Sequence, residues 1–191
     1  MRNDNAFTGL EAAIVLIAFV VVAAVFSYVV LGAGFFTTQK SQEVVHTSVS
    51  QTSSSIEVIG NVFGKKDTTG TSVFIDELQF NLGLTAGGAP VDMSKVILTY
   101  STDAVAPLYL AMVGSPSQAT PGWMIAEKND GADNDNLLER GEIFTIQVVV
   151  KKEHGFGVND QMNLEIKPPV GAVLGLKRTA PPQLDAWNVL Y

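Results

Sequence analysis

Residues 10–36, LEAAIVLIAFVVVAAVFSYVVLGAGFF, carry one charged side chain, Glu11, and are otherwise apolar in every direction. A helix made from such a run has no side to turn toward water, so it must be covered all round by lipid or by protein. About 20 apolar residues suffice to cross the roughly 30 Å hydrocarbon core of a bilayer, and no charged residue occurs from 12 to 39. The window 12–31 holds thirteen Ile, Leu, Val or Phe residues. At about −0.3 to −0.6 kcal/mol each, these favour insertion by roughly 4–8 kcal/mol. A strand is excluded, because the run is several times longer than ordinary strands and does not alternate. The many β-branched residues make a poor helix in water, so the surroundings must supply the helicity.

The rest of the chain narrows the options further. Its formal charge is −7, and with 16% charged residues its largest basic groups are Lys65-Lys66 and Lys151-Lys152. That leaves no electrostatic footprint for nucleic acid. There is no cysteine, which removes disulfides, thiol nucleophiles and Cys-ligated zinc from consideration. Residues 1–6, MRNDNA, form a short polar tag ahead of the apolar run. This inverts the order of a secretory signal peptide, so any processing removes the tag and keeps the helix.

From residue 37 polarity returns while a stripe persists: Val45, Val49, Ile56, Ile59 and Phe63 follow one another at helical intervals. The spacing predicts one helix over 7–63, about 80 Å long at ~1.5 Å per residue, with Gly32 and Gly34 as points of bending. Its Ser- and Thr-rich second half is weakly helical and must be held by packing. A polar, Gly-containing stretch, 64–72, reads as a hinge. Beyond it the period becomes two. The segment 142–151, EIFTIQVVVK, places Ile143, Thr145, Gln147 and Val149 on one face and Phe144, Ile146, Val148 and Val150 on the other. Runs at 73–82, 95–101, 108–113, 159–167, 170–177 and 187–191 complete a series of about seven short strands with Gly/Pro turns, the pattern of an immunoglobulin-like sandwich. The fold class is therefore α+β: a long hydrophobic N-terminal helix followed by an all-β sandwich over 73–191.

Chemistry-bearing residues are few. Glu11 is a carboxylate at the edge of an apolar segment, a costly position unless a cation meets it or it reaches the interface. Two readings stand: a first-turn carboxylate favoured by the helix dipole, or a partner for a free amino terminus. Asp130, Asp133 and Asp135, with Glu127, Glu139 and Glu142 nearby, are dense in the oxygen ligands calcium prefers. Their spacing does not match an EF-hand, and the same residues build ordinary turns, so a solvated loop and a calcium-binding loop both remain open. His46 and His154 fall in the helical stripe and in a turn, and no phosphate-binding Gly-rich loop is present, so no catalytic constellation is assigned. No cofactor is required by any motif. Trp123 and Trp187 read as core or interface residues.

A short polar leader, Phe7, Glu11 four residues later, an unbroken apolar helix and a β-domain together resemble the class III signal architecture of type IV pilins. Within that group, AFTGLEAAIVLIAFVVVAAVFSYVVLGAGFFTTQKSQE at 6–43 is similar to archaellins, the archaeal flagellins, and LLERGEIFTIQV at 137–148 resembles a strand of their outer sandwich. The resemblance implies a structural, non-enzymatic subunit that polymerises, alone or with other archaellins, into the extracellular filament used for swimming. It implies removal of the leader by a prepilin-type peptidase between Ala6 and Phe7, which would make Glu11 the fifth residue. Asn5 and Ala6 stand where the family usually has Gly, so a cut after Asn5 competes. The cytoplasmic membrane would hold the subunit before assembly, and a motor and assembly platform would work at the filament's base. The filament-core helix would be lined by Ile14, Ile17, Phe19, Val22, Phe26, Leu31, Val45, Val49, Ile56 and Ile59. Metal binding in the outer domain of some archaellins directs attention to Asp130, Asp133 and Asp135. The rival readings are an adhesive archaeal pilin of the same architecture and a single-pass membrane-anchored binding domain.

Overall fold

The computed structural model describes residues 4–53, 55–67 and 73–191; the first three residues of the leader and residues 68–72 of the expected hinge lie outside these. Two compact units divide at Ser48 and Val49. The first is dominated by α1 (Asp4–Ser53), 50 residues long, which at ~1.5 Å per residue spans about 75 Å. Ala6 and Phe7 fall within its backbone span. Gly32 and Gly34 do not interrupt it. Three of its hydroxyl groups are satisfied inside the helix itself: Thr37, Thr38 and Thr47 donate to the carbonyls of Ala33, Gly34 and Glu43 at 2.9, 2.9 and 2.8 Å. This back-bonding lets Thr sit in a helix without seeking water.

The second unit is built from β1 (Ile56–Lys66), β2 (Ile75–Leu84), β3 (Val91–Asp92), β4 (Ile97–Thr102), β5 (Leu108–Leu110), β6 (Gly122–Lys128), β7 (Leu137–Leu138), β8 (Ile143–Val149), β9 (Gln161–Lys167), β10 (Leu174–Thr179) and β11 (Trp187–Leu190). One sheet has the order β11-β1-β2-β8-β6, a second β10-β9-β4-β5, and β3 pairs with β7. All these pairings are antiparallel. The alternation read from 142–151 is realised in β8, where Phe144, Ile146 and Val148 are fully buried and Thr145 and Gln147 are not. Register carries these apolar positions across the sheet, as Phe80 faces Ile146, Leu82 faces Phe144 and Trp123 faces Val148. In the opposing sheet, Tyr100 and Leu176 both face Leu164, and Leu98 faces Ile166. Side chains from both sheets belong to one continuous hydrophobic core, which is the arrangement two sheets reach when each has one apolar face.

The structure corrects the expected end of the helix. Ile56, Ile59 and Phe63 are not helical; they belong to β1, which pairs with β2 on one side and β11 on the other. The apparent helical spacing joins residues on opposite faces of a strand that carries a bulge. Ile59 pairs with Asn81 and Phe63 with Gln79, so four residues on β1 oppose two on β2. Gly60 turns the bulge at φ 83°, a conformation glycine reaches without steric cost. Because four residues against two keep the strand's alternation in phase, Ile56 and Val62 point into the core on one face while Ile59 and Phe63 lie at the surface on the other. Apolar residues taken from both faces of a strand imitated a period of 3.6.

Several polar groups inside the domain are paired. The phenol of Tyr100 donates to the carbonyl of His154 at 2.9 Å, and burial, followed by the charge of Asp160, pushes its pKa upward. Asp67 meets Lys152 at 2.7 Å. Asp76 is buried and accepts from the side-chain amide of Gln118. Burial pushes the Asp76 carboxyl above the ordinary carboxylate range against the opposing effect of the Gln118 bond, and the charges of Asp67 and Glu77 push the same way as burial. The sign of the pH effect follows. The folded state holds a proton on Asp76 where the unfolded chain has lost it, so this group favours folding increasingly as pH falls through its raised folded value and no further below about 3.9. Asp76→Asn should therefore flatten the dependence of the β-domain's melting temperature on pH over that window, relative to the wild type, in thermal scans from neutral to acid pH.

Candidate functional site

The feature with the greatest consequence is the surface of α1. Among its side chains from Leu10 to Phe36, seventeen large hydrophobic ones are exposed on the single chain, including Phe19 at 71% and Phe26 at 70%. At roughly 1.5–3 kcal/mol for each such side chain when buried, this surface withholds tens of kcal/mol until something covers it. A whole domain is stable by only about 5–15 kcal/mol. Covering α1 therefore decides where the chain can reside. Gly9–Val49 contains the one helix among the described residues that is long and apolar enough to cross a membrane. The expected lining residues Ile14, Ile17, Phe19, Val22, Phe26, Leu31, Val45 and Val49 are all exposed; Ile56 and Ile59 lie beyond the end of the helix, in β1. Glu11 shares one side of α1 with Ala12, Val15, Leu16, Phe19, Val20 and Ala23, where a shallow apolar channel runs down the helix. The small alanines there let another backbone approach closely, the means by which apolar helices associate when lipid is the alternative.

The acidic loop after β6 has a different organisation from a metal site. The Asp133 carboxylate accepts from the Asp135 amide at 3.0 Å and the Asp135 carboxylate from the Leu137 amide at 2.7 Å. Buried Glu142 accepts from the amides of Asp133 at 3.1 Å and Glu139 at 2.9 Å, one on each oxygen. The ammonium of Lys128 donates to the carbonyl of Asp133 at 3.1 Å and to that of Asp135. Asp130 is exposed at the turn beside Gly131. The three aspartates are not brought into one ligand set, and among the described residues no group of three or more His, Cys, Asp or Glu is placed to hold a metal ion. The donors here do not fit the six to eight oxygens calcium gathers. Lys128 was missed in the sequence, where its only signal was a lone cation beside an acidic run.

His46 lies on α1 and His154 in a short 3₁₀ turn, Lys152–His154, with its carbonyl engaged by Tyr100. Neither is joined to a nucleophile in any contact described above. Trp123 is core, and Trp187 is half-exposed on the sheet surface with the Lys65 ammonium 5.5 Å from its ring centre.

An apolar helix uncovered along its length, joined in sequence to a β-domain with a core of its own, defines a pilin-like filament subunit. The comparisons give the family. The pattern of archaeal-type flagellins matches residues 6–178, and the chain belongs to the archaeal-type flagellin family. It is 43% identical to a protein named probable flagellin 1 from Archaeoglobus fulgidus, over all of this chain and 97% of that one. Its fold superposes on a subunit of the archaeal flagellum of Methanospirillum hungatei with a TM-score of 0.75 and 32% identity, covering 96% of this chain and 99% of the other. A crystal structure of an archaeal flagellin from Methanocaldococcus jannaschii shares the fold, with a TM-score of 0.56 at 18% identity over 71% of this chain and 95% of that one.

Proposed function

We propose that this chain is a structural subunit of the extracellular archaeal flagellum filament, held in the polymer by α1 and presenting the β-domain outward. The uncovered apolar length of α1 carries this reading, because a helix of that kind needs other helices around it once it leaves lipid. Exchange of lipid for protein brings little hydrophobic gain, since acyl chains are as apolar as leucine, and close packing at Ala12, Ala13, Ala18, Ala23 and Ala24 supplies the association. Repetition of one unclosed head-to-tail contact then builds an open helical polymer. In this scheme a prepilin-type peptidase cuts between Ala6 and Phe7, the cytoplasmic membrane stores the subunit, and a separate motor and assembly platform does the energy-consuming work. No catalytic step is assigned to the chain itself. The carboxylate of Glu11 meets the ammonium of the new amino terminus within the desolvated helix bundle.

Intact-mass measurement of material sheared from cells tests both parts of the scheme. A chain beginning at Phe7 is expected, and one beginning at Ala6 would move the cut by one residue. Full-length chain confined to the membrane fraction would overturn the filament reading. Glu11→Ala is expected to remain in the membrane fraction and to yield little sheared filament, since removing one partner of a buried ion pair costs about 3–5 kcal/mol. Undiminished filament yield from this variant would dispose of the pairing.

A further inference from the structure

Among the described residues the acidic loop after β6 gathers no set of metal ligands, and this has a physical cause. Lys128 ends β6, where its backbone is in register with Phe144 on β8. The sheet therefore fixes the root of the side chain. Its ammonium lies 4.9 Å from the centre of the Phe144 ring, a cation–π contact with a fully buried aromatic, and it donates to the carbonyl oxygens of Asp133 and Asp135. Main-chain carbonyls converging on a positive charge are what a loop offers to calcium. Here the positive charge belongs to the chain.

The carboxylates complete the picture from the other side. Asp133 and Asp135 are each bound to the amide two residues on, and both oxygens of Glu142 are bound to amides at 2.9 and 3.1 Å. Asn129 closes the base of the loop: its side-chain oxygen accepts from the Ile143 amide at 2.7 Å and its nitrogen donates to the Gly141 carbonyl at 3.2 Å. Acids that accept local amides are oriented by those amides, and a divalent ion entering beside the ammonium would meet like charge.

We propose that the Lys128 ammonium is a tethered cation that orders residues 129–142, so that this loop holds its conformation without a divalent metal. The proposal concerns the β-domain alone and does not rest on filament assembly. It is tested by hydrogen–deuterium exchange on the full chain, in detergent and in sheared filaments, with calcium or with a chelator present. In the wild type, exchange of the 129–142 amides is expected to be the same in both conditions. In Lys128→Met, which keeps the aliphatic stem and removes the charge, those amides are expected to exchange at least tenfold faster while β2, β8 and β9 stay protected; Lys128→Arg should recover part of the protection. Calcium-dependent protection of the wild-type loop, abolished by Asp133→Asn, would overturn the proposal. Wild-type exchange rates in Lys128→Met would overturn it equally. Should Lys128→Met fail to fold, calorimetric titration of the wild-type chain with calcium decides: absence of heat at stoichiometric loading agrees with the proposal, and a one-site isotherm lost in Asp133→Asn refutes it.

Discussion

Arginine in place of Val22 is expected to leave cells with the chain but without recoverable filament. Val22 lies near the middle of the apolar run and is 66% exposed on the single chain. A guanidinium at the centre of a membrane helix costs about 2.5–3.5 kcal/mol on insertion, a large fraction of the roughly 4–8 kcal/mol that the whole run contributes. In a bundle of packed helices the same charge has no partner on α1, whose central section is uncharged from residue 12 to 39. An unpaired buried charge costs several kcal/mol more. A helical polymer repeats that cost at every subunit, so the loss should be all or none, while Val22→Leu should assemble. Quantifying the chain in membrane and sheared fractions checks this. Wild-type yield from Val22→Arg would mean that this position faces a wet channel.

The second large effect is expected in the β-domain. Trp123→Ala should destabilise it by about 3–5 kcal/mol, through lost apolar contact and the cavity left behind. Trp123 is fully buried, faces Val148 across the β6–β8 pair and is bridged on its other side by Met112. Against a total of about 5–15 kcal/mol for a domain, that is roughly a fifth or more of the stability. Trp123→Phe should behave differently. The indole nitrogen has no hydrogen-bond partner among the described residues, and a buried donor left unmade costs about 1–3 kcal/mol. Removing it offsets much of the lost volume, so the net change should stay under about 1.5 kcal/mol. Denaturant midpoints at constant slope separate the two variants. Equal losses in both would show that the ring's second half, rather than its polarity, sets the cost.

What could be read from the sequence depended on whether a local pattern survived the tertiary fold intact. The run 10–36 has no competing explanation, and the strict alternation of residues 143–148 had to be a half-buried strand. β1 is hidden because apolar residues on both of its faces, Ile56 inside and Ile59 and Phe63 outside, fall at helix-like intervals, and the Ser/Thr run before Ile56 is where the helix stops. β6 was missed for a different reason: the pairing slips between Ile125 and Glu127, and only Trp123 among its large apolar side chains is fully buried. β3 and β7, two residues each, are too short to carry any period. In the acidic loop the composition was legible and the wiring was not. Whether a carboxylate faces a metal or a neighbouring amide is decided by main-chain turns, and the lysine that answers the loop's carbonyls is placed by a strand pairing with Phe144.

The pairing of β1 with β11 has a consequence in time. Val62 lies opposite Leu190, and the side chain of Asn188 donates to the carbonyl of Gly64. The strands furthest apart in sequence are thus neighbours in the sheet. Long-range closure of this kind is slow, because the entropy of the intervening chain must be overcome before any contact rewards it. During synthesis, α1 emerges and is ready for the membrane long before its β-domain has the strand that closes its edge. Under the membrane storage proposed above, the subunit would be anchored first and finished afterwards, with nascent chains held in the bilayer while their half-made sheets wait for the last strand.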